Sequence, residues 1–165
     1  MSKSLDDLKA AFAGESQANR RYLAFAQKAE SEGYLQAAKL FRAAAEAETV
    51  HALNHFRAAG EIKSTSENLQ TAVNGEHYEA TTMYPEFLVD AEKDQDKKAL
   101  LSFTYALAAE KMHEALYTKM LEKLSKDTPP VDYYVCPVCG ATYEGSAPDR
   151  CPVCSTAGSR IKKVS

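Results

Sequence analysis

Two tetrapeptides share one form: Glu48-Thr-Val-His51 and Glu110-Lys-Met-His113. Each sets a carboxylate and an imidazole three residues apart, so in a helix both side chains leave one face. Glu15 and Glu76 supply carboxylates in two other segments, and Glu79 follows Glu76 at the same spacing of three. Oxygen and imidazole donors suit iron or manganese, and residues 1–124 offer no thiolate to a softer metal. All four cysteines lie together near the end, as Cys136-Pro-Val-Cys139 and Cys151-Pro-Val-Cys154. Two C-x-x-C knuckles place four thiolates around one tetrahedral ion, and this spacing alone leaves zinc and iron both open. Clustered this way, the cysteines point to metal ligation in a reducing compartment rather than to a disulfide framework. Gly140, just after the first knuckle, fits a tight turn that needs positive φ.

Such ligands need rigid carriers. Residues 1–124 are rich in helix formers and contain one proline, Pro85. The first helical segment starts near Leu5, with Ser4 and Asp7 at capping-box spacing, and ends before Gly33. The second runs from about Leu35 to Ala59 and stops at Gly60. The third starts after Ser64, which has Glu67 at capping-box spacing, and reaches about Ala91. The fourth runs from about Lys97 to Leu124. Pro85 should kink the third segment, well past Glu79. Four long helices with short connections most simply make an antiparallel four-helix bundle. Ser125 to Val131 contains adjacent prolines and reads as a linker. The expected division is a bundle over 1–124, a linker over 125–132 and a small metal module over 133–165.

Each segment carries an apolar stripe interrupted by ligand-type residues. The stripes are Leu5, Leu8, Phe12, Glu15, Asn19, Tyr22; then Ala37, Phe41, Ala44, Glu48, His51, His55. The third is Leu69, Ala72, Glu76, Glu79, Met83, Phe87, and the fourth is Phe103, Ala106, Glu110, His113, Tyr117, Met120, Leu124. These faces should be buried. Burying unpaired carboxylates costs several kcal/mol each, and no Lys or Arg on the stripes offsets that. Cations from outside the chain must do so. Four Glu and two His, with both His in Glu-x-x-His pairs, match the donor set of ferritin-like di-iron carboxylate bundles.

The pattern also repeats. Gly14-Glu15 precedes the first Glu-x-x-His, and Gly75-Glu76 precedes the second, at nearly equal intervals. The repeat breaks where Glu79 stands against Ala18, which leaves Glu79 as a surplus carboxylate. His55 lies one turn beyond His51, where it either chelates with it or supports it. His77 adjoins Glu76 and points about 100° away, so it is either at the surface or a support for the ligands. Glu46 and Glu114 are out of phase and expected in solvent. Tyr22, Tyr84 and Tyr117 are core aromatics whose hydroxyls need partners, a ligating carboxylate being one.

Composition narrows the classes. The 165 residues carry a net charge of -3, without the basic footprint of a nucleic-acid binder. No apolar run approaches the ~18 residues of a membrane span. Residues 1–11 are too polar for a secretory signal.

The chain resembles the rubrerythrin family along nearly all its length. The motifs are Gly14-Glu-Ser-Gln-Ala18, Glu48-Thr-Val-His51, Gly75-Glu-His-Tyr-Glu79 with Met83-Tyr-Pro85, and Ala109-Glu-Lys-Met-His113. A rubredoxin-like tail with Tyr143-Glu-Gly completes them. The resemblance implies a mainly α fold, a ferritin-like four-helix bundle with a small C-terminal rubredoxin-like domain. It implies two non-haem irons in the bundle and one iron on Cys136, Cys139, Cys151 and Cys154, with zinc the less favoured occupant. Glu48 and Glu110 would bridge the two irons, Glu76 and His113 would serve one, and Glu15 the other. Glu79 in the oxidised state and His51 in the reduced state would alternate as its last ligand, with Tyr22 and Tyr84 close by. Where the family more often has an aromatic, this tail has Ile161, a change expected to touch packing only.

The resemblance further implies a cytoplasmic, NAD(P)H-linked hydrogen peroxide reductase of oxidative-stress defence. Its electrons would come from rubredoxin or a similar donor and that donor's NAD(P)H-dependent reductase. His113 lies roughly 16 Å from the end of its helix. That gap suggests transfer between the subunits of a homodimer. The rivals are a ferroxidase or iron-storage protein, which has no use for such a tail, and a non-enzymatic zinc-ribbon interaction protein.

Overall fold

A computed structural model describes residues 2–127 and 129–164. Thr128, in the expected linker, and the terminal Met1 and Ser165 lie outside the described residues. The chain forms two compact units, residues 1–63 and 64–165.

The first unit is a helical hairpin of α1 (Lys3–Ser31) and α2 (Leu35–Ala58). Alanines let the helices approach closely: Ala26, Ala29, Ala38, Ala45 and Ala52 are its buried residues. Asn19 fixes the register by donating to the Ala45 carbonyl at 2.7 Å and to Thr49 Oγ1 at 2.8 Å. Phe12 stacks on Phe56 with ring centroids 4.6 Å apart, and Tyr22 tilts against Phe41 at 6.3 Å. The expected Ser4–Asp7 capping box is absent, because α1 begins earlier, with Ser2 at its N-cap. Asp7 pairs with Lys3 at 2.8 Å instead.

The second unit holds α3 (Thr65–Tyr78), a π turn (Glu79–Met83), α4 (Tyr84–Lys93) and α5 (Lys97–Glu122). Ser64 and Glu67 form the full capping box that their spacing predicts. The third helix is not the single kinked segment expected from Pro85. Its irregularity starts earlier, and Glu79 is the first residue of the π turn. The Tyr84 N–H bonds back to the Glu79 carbonyl, and Pro85 then sits in the first turn of α4, where its missing N–H is tolerated. α5 packs against both α3 and α4, and Phe103 on it meets Tyr84 and Phe87.

The tail is a three-stranded antiparallel sheet in the order β2-β1-β3. β1 is Tyr133–Val135, β2 is Thr142–Glu144 and β3 is Lys162–Val164. Its core is Cys136, Cys139, Ala141, Cys151 and Ile161. Ile161 is buried in that core. The fold class is thus mainly α with a small cysteine-bearing module, as expected.

The module packs on α5 of its own chain. Tyr105 and Met112 of α5 pack against the cysteine core, and Lys119 pairs with Glu144. This corrects the gap inferred from sequence. The chain turns back after α5, so distance along the helix axis does not separate His113 from the module.

Candidate metal centres

Within the first unit, ligand atoms of Glu15, Glu48 and His51 lie within 4.8 Å of one another. In the second unit, Glu76, Glu110 and His113 meet the same limit. The repeat seen in sequence is therefore a repeat in space. His51 Nδ1 is 3.0 Å from Glu48 Oε2, and His113 Nδ1 is 2.7 Å from Glu110 Oε2. Both follow from the spacing of three on one helix face.

Each cluster sets two carboxyl groups against each other. Glu15 is raised above its usual value, first by its hydrogen bond with Glu48 and then by burial. Glu48 is lowered, first by accepting from Glu15 and next from His51. Glu76 is pushed up to about 7, chiefly by burial and then by its hydrogen bond with Glu110. Burial also raises Glu79, followed by the charge on Glu110. Carboxyl pairs this close share a proton unless a cation lies between them. The donor chemistry of both clusters therefore fits hard or borderline divalent metal ions.

The burial expected of these faces is not found. Glu15, Glu48, Glu76, Glu79, Glu110 and His113 are half-buried, and the His51 side chain is 55% exposed. A pair of helices buries only the strip between them, so a ligand face turned from that strip keeps partial access to water. Glu79 lies near its cluster without joining its tight triad. His77 is exposed, and its Nδ1 lies 2.8 Å from Glu114 Oε1. Glu114 is therefore half-buried and paired, not free in solvent. Burial raises Tyr84, followed by the charges of Glu110, Glu79 and Glu76, which places its ring beside the carboxylates. Tyr22 sits instead among Phe25 and Phe41. The charge of His55 acts against the rise at Glu15.

The Glu76 shift has a sign that can be tested. Between about pH 4.5 and 7 the folded metal-free protein holds a proton on Glu76 that the unfolded chain releases. Stability therefore falls as pH rises across that window. The melting temperature of metal-free protein should drop through it, and Glu76→Gln should flatten the drop. An unchanged profile in Glu76→Gln would contradict the assignment.

In the tail the four sulfurs also converge within 4.8 Å. Cys136 to Cys154 and Cys139 to Cys151 are each 3.5 Å. A tetrahedron with bonds of about 2.3 Å has edges of roughly 3.8 Å, so one metal ion fits. The two knuckles are near copies. Cys136 N–H donates to the Ala141 carbonyl at 3.0 Å, and Cys151 N–H to the Thr156 carbonyl at 2.8 Å. Gly140 has φ +78° as its position requires, while Ser155 takes φ +62° at the matching place. A non-glycine there costs roughly 1–2 kcal/mol, which closing the knuckle must offset. Burial acts to raise Cys151, but the Tyr143 hydroxyl and the Cys154 and Val153 N–H groups outweigh it and hold Cys151 at about 6. The Tyr143 hydroxyl lies 3.1 Å from that sulfur. One thiolate is thus ready near neutral pH, as metal capture requires.

One contact went unseen in the sequence. His113 Nε2 lies 2.9 Å from Thr142 Oγ1 on β2, so the cysteine module touches the carboxylate cluster directly. A threonine in a short strand gives no signal of its own.

Comparison with known proteins agrees with the arrangement. A family model described as "Rubrerythrin" matches residues 6–121, and "Rubrerythrin, rubredoxin-like domain" matches 134–160. "Rubrerythrin-2" of Clostridium acetobutylicum is 38% identical, with 90% of each chain covered. "Nigerythrin" of Nitratidesulfovibrio vulgaris is 36% identical over 92% of this chain and 81% of its own. A structure titled "Fully reduced state of nigerythrin (all ferrous)" is similar with a TM-score of 0.60 and 32% identity. It covers 99% of this chain and 88% of its own. No helix among the described residues is long and apolar enough to cross a membrane.

Proposed function

This chain belongs to the rubrerythrin family, and we propose on that premise that it reduces hydrogen peroxide to water with electrons delivered through its cysteine module. The family's cofactors are a di-iron centre and one rubredoxin-like iron, and it is a family of oxidoreductases of oxidative-stress defence. The single observation that carries the finer reading is His113. One ring nitrogen faces the carboxylate cluster and the other meets the cysteine module. Storage or oxidation of iron alone has no need of that contact.

Glu15, Glu48, His51, Glu76, Glu79, Glu110 and His113 would hold the two irons, and Cys136, Cys139, Cys151 and Cys154 the third. When bound, the di-iron centre supplies the two electrons that cleave the O–O bond, and the tetrathiolate iron returns electrons singly. Glu48 and Glu110 would bridge. Glu76 with His113 would serve one side and Glu15 the other, where Glu79 and His51 would alternate. A π turn at Glu79 supports that role, because single π turns inside helices concentrate at functional positions. Tyr84 keeps its proton, since burial and the nearby carboxylates all raise its pKa, and offers a donor beside them.

We further propose a rubredoxin-type donor with its NAD(P)H-dependent reductase, a cytoplasmic setting and a homodimer. Exposed Phe25, Val50 and Leu53 on the first hairpin support association with a second copy. The test is steady-state turnover of iron-loaded protein with that donor system. NAD(P)H and peroxide should disappear one for one. Oxidation of added ferrous iron without peroxide-dependent NAD(P)H loss would overturn the reading in favour of a ferroxidase.

A further inference from the structure

His113 has its two nitrogens in different settings. Nδ1 is 2.7 Å from Glu110 Oε2 and 3.7 Å from Glu76 Oε2. Nε2 is 2.9 Å from Thr142 Oγ1, and Thr142 Oγ1 is 3.1 Å from the Gly140 carbonyl. A hydroxyl has one hydrogen to give. Glu110 can only accept, so without metal Nδ1–H donates to it and Nε2 accepts from the Thr142 hydroxyl. A metal ion held by the cluster would take the Nδ1 lone pair and leave the proton on Nε2, which would then donate to Thr142 Oγ1 while the Thr142 hydroxyl turns to the Gly140 carbonyl.

The contact is also held from both sides. Thr142 pairs with Val135 across the sheet, next to the fully buried Ala141. A Cβ at Gly140 would lie 3.7 Å from the Ala109 methyl, one turn before His113, so helix and knuckle are already at packing distance. Gly140 follows Cys139 directly. A continuous path therefore runs from Cys139 through the Gly140 peptide and the Thr142 hydroxyl into the His113 ring, with two hydrogen bonds as its only non-covalent links.

We propose that Thr142 is a positioning residue that holds the far nitrogen of His113 and couples the cysteine module to the carboxylate cluster. This rests on the reading above, that the module delivers electrons to the cluster. The electron lost at the tetrathiolate iron, ferrous to ferric, is the one gained at the iron beside His113, ferric to ferrous. No proton crosses Thr142.

The test compares Thr142→Val and Thr142→Ser in fully reduced, iron-loaded protein mixed rapidly with peroxide. Contacts to the second nitrogen of a ligating histidine are typically worth 10–100-fold, so Thr142→Val should slow reoxidation of the tetrathiolate iron by about that factor. Peroxide consumption in the first turnover and the tetrathiolate colour should stay unchanged, and Thr142→Ser should keep the wild-type rate. If Thr142→Val loses its colour, Thr142→Ala takes its place under the same criteria. Equal rates with and without the hydroxyl would overturn the coupling role. A second readout uses zinc-loaded full-length protein and nitrogen-15 correlation of the ring. The Nε2–H proton should be shifted downfield by its hydrogen bond in wild type and Thr142→Ser but not in Thr142→Val, and equal shifts in all three would overturn the contact. Should the wild-type tetrathiolate iron never reoxidise after peroxide, the delivery reading fails, and the ring measurement still decides whether Thr142 holds His113.

Discussion

Glu110→Ala should abolish peroxide turnover while making the metal-free protein more stable, not less. Glu110 is the hub of its cluster. It meets His113, shares a hydrogen bond with Glu76, and its charge raises Glu79 and Tyr84. Without metal, its removal relieves carboxyl crowding, so Glu76 should fall back toward the usual carboxylate range. With metal, on the proposed assignment, its loss takes away a ligand. Even contacts one step beyond a ligand cost up to about 100-fold, so turnover should fall further than that. Melting curves with and without added ferrous or manganous ion, beside a peroxide assay, check both signs. A variant that binds metal and turns over normally would remove Glu110 from the site. A metal-free variant less stable than wild type would show that its role is packing.

Cys151→Ser should unfold the tail and leave the helices standing. Three of the five buried core residues of the tail are cysteines, so the module has almost no apolar core beyond its ligands. Binding free energies of roughly 10–16 kcal/mol are typical where a structural metal organises a small domain, and that energy is then folding energy. Cys151 is the thiol held lowest, at about 6, and it anchors the Tyr143 hydroxyl. Its loss removes the readiest thiolate and one corner of the tetrahedron. Amide exchange should rise across residues 133–164 and stay slow in α1 to α5, and the visible colour of the tail should vanish. Peroxide should still be consumed once per reduced centre and then stop. Continued steady-state turnover would break the link between tail and cluster.

The helices and the two carboxylate–histidine clusters were legible in sequence for a common reason. A carboxylate on an apolar stripe is conspicuous, and a spacing of three fixes its neighbour on a helix, so Glu48 with His51 and Glu110 with His113 came together as expected. Gly140 was legible because few residues tolerate its backbone. Ser155 was not, since it takes the same left-handed conformation against its preference and only the fold reveals that. The π turn escaped because Pro85 signals a disruption without giving its starting residue, and it begins at Glu79. The Ser4–Asp7 cap failed because the helix starts two residues earlier and Asp7 pairs with Lys3 instead. The docking of the tail on α5 was hidden altogether. It depends on how the chain returns after Glu122, and helix length along the axis says nothing about a reversal. Thr142 was invisible for the same cause, being defined only by what lies across from it.

The central claim is that peroxide draws electrons out of the cysteine module through the carboxylate cluster. The direct measurement is a single anaerobic turnover of fully reduced protein holding about three irons per chain. On mixing with one equivalent of peroxide, the oxidant should disappear first and the ferric tetrathiolate colour should then grow. In Glu110→Ala the colour should not follow. Peroxide consumed at the wild-type rate while the tail stays ferrous would contradict the account.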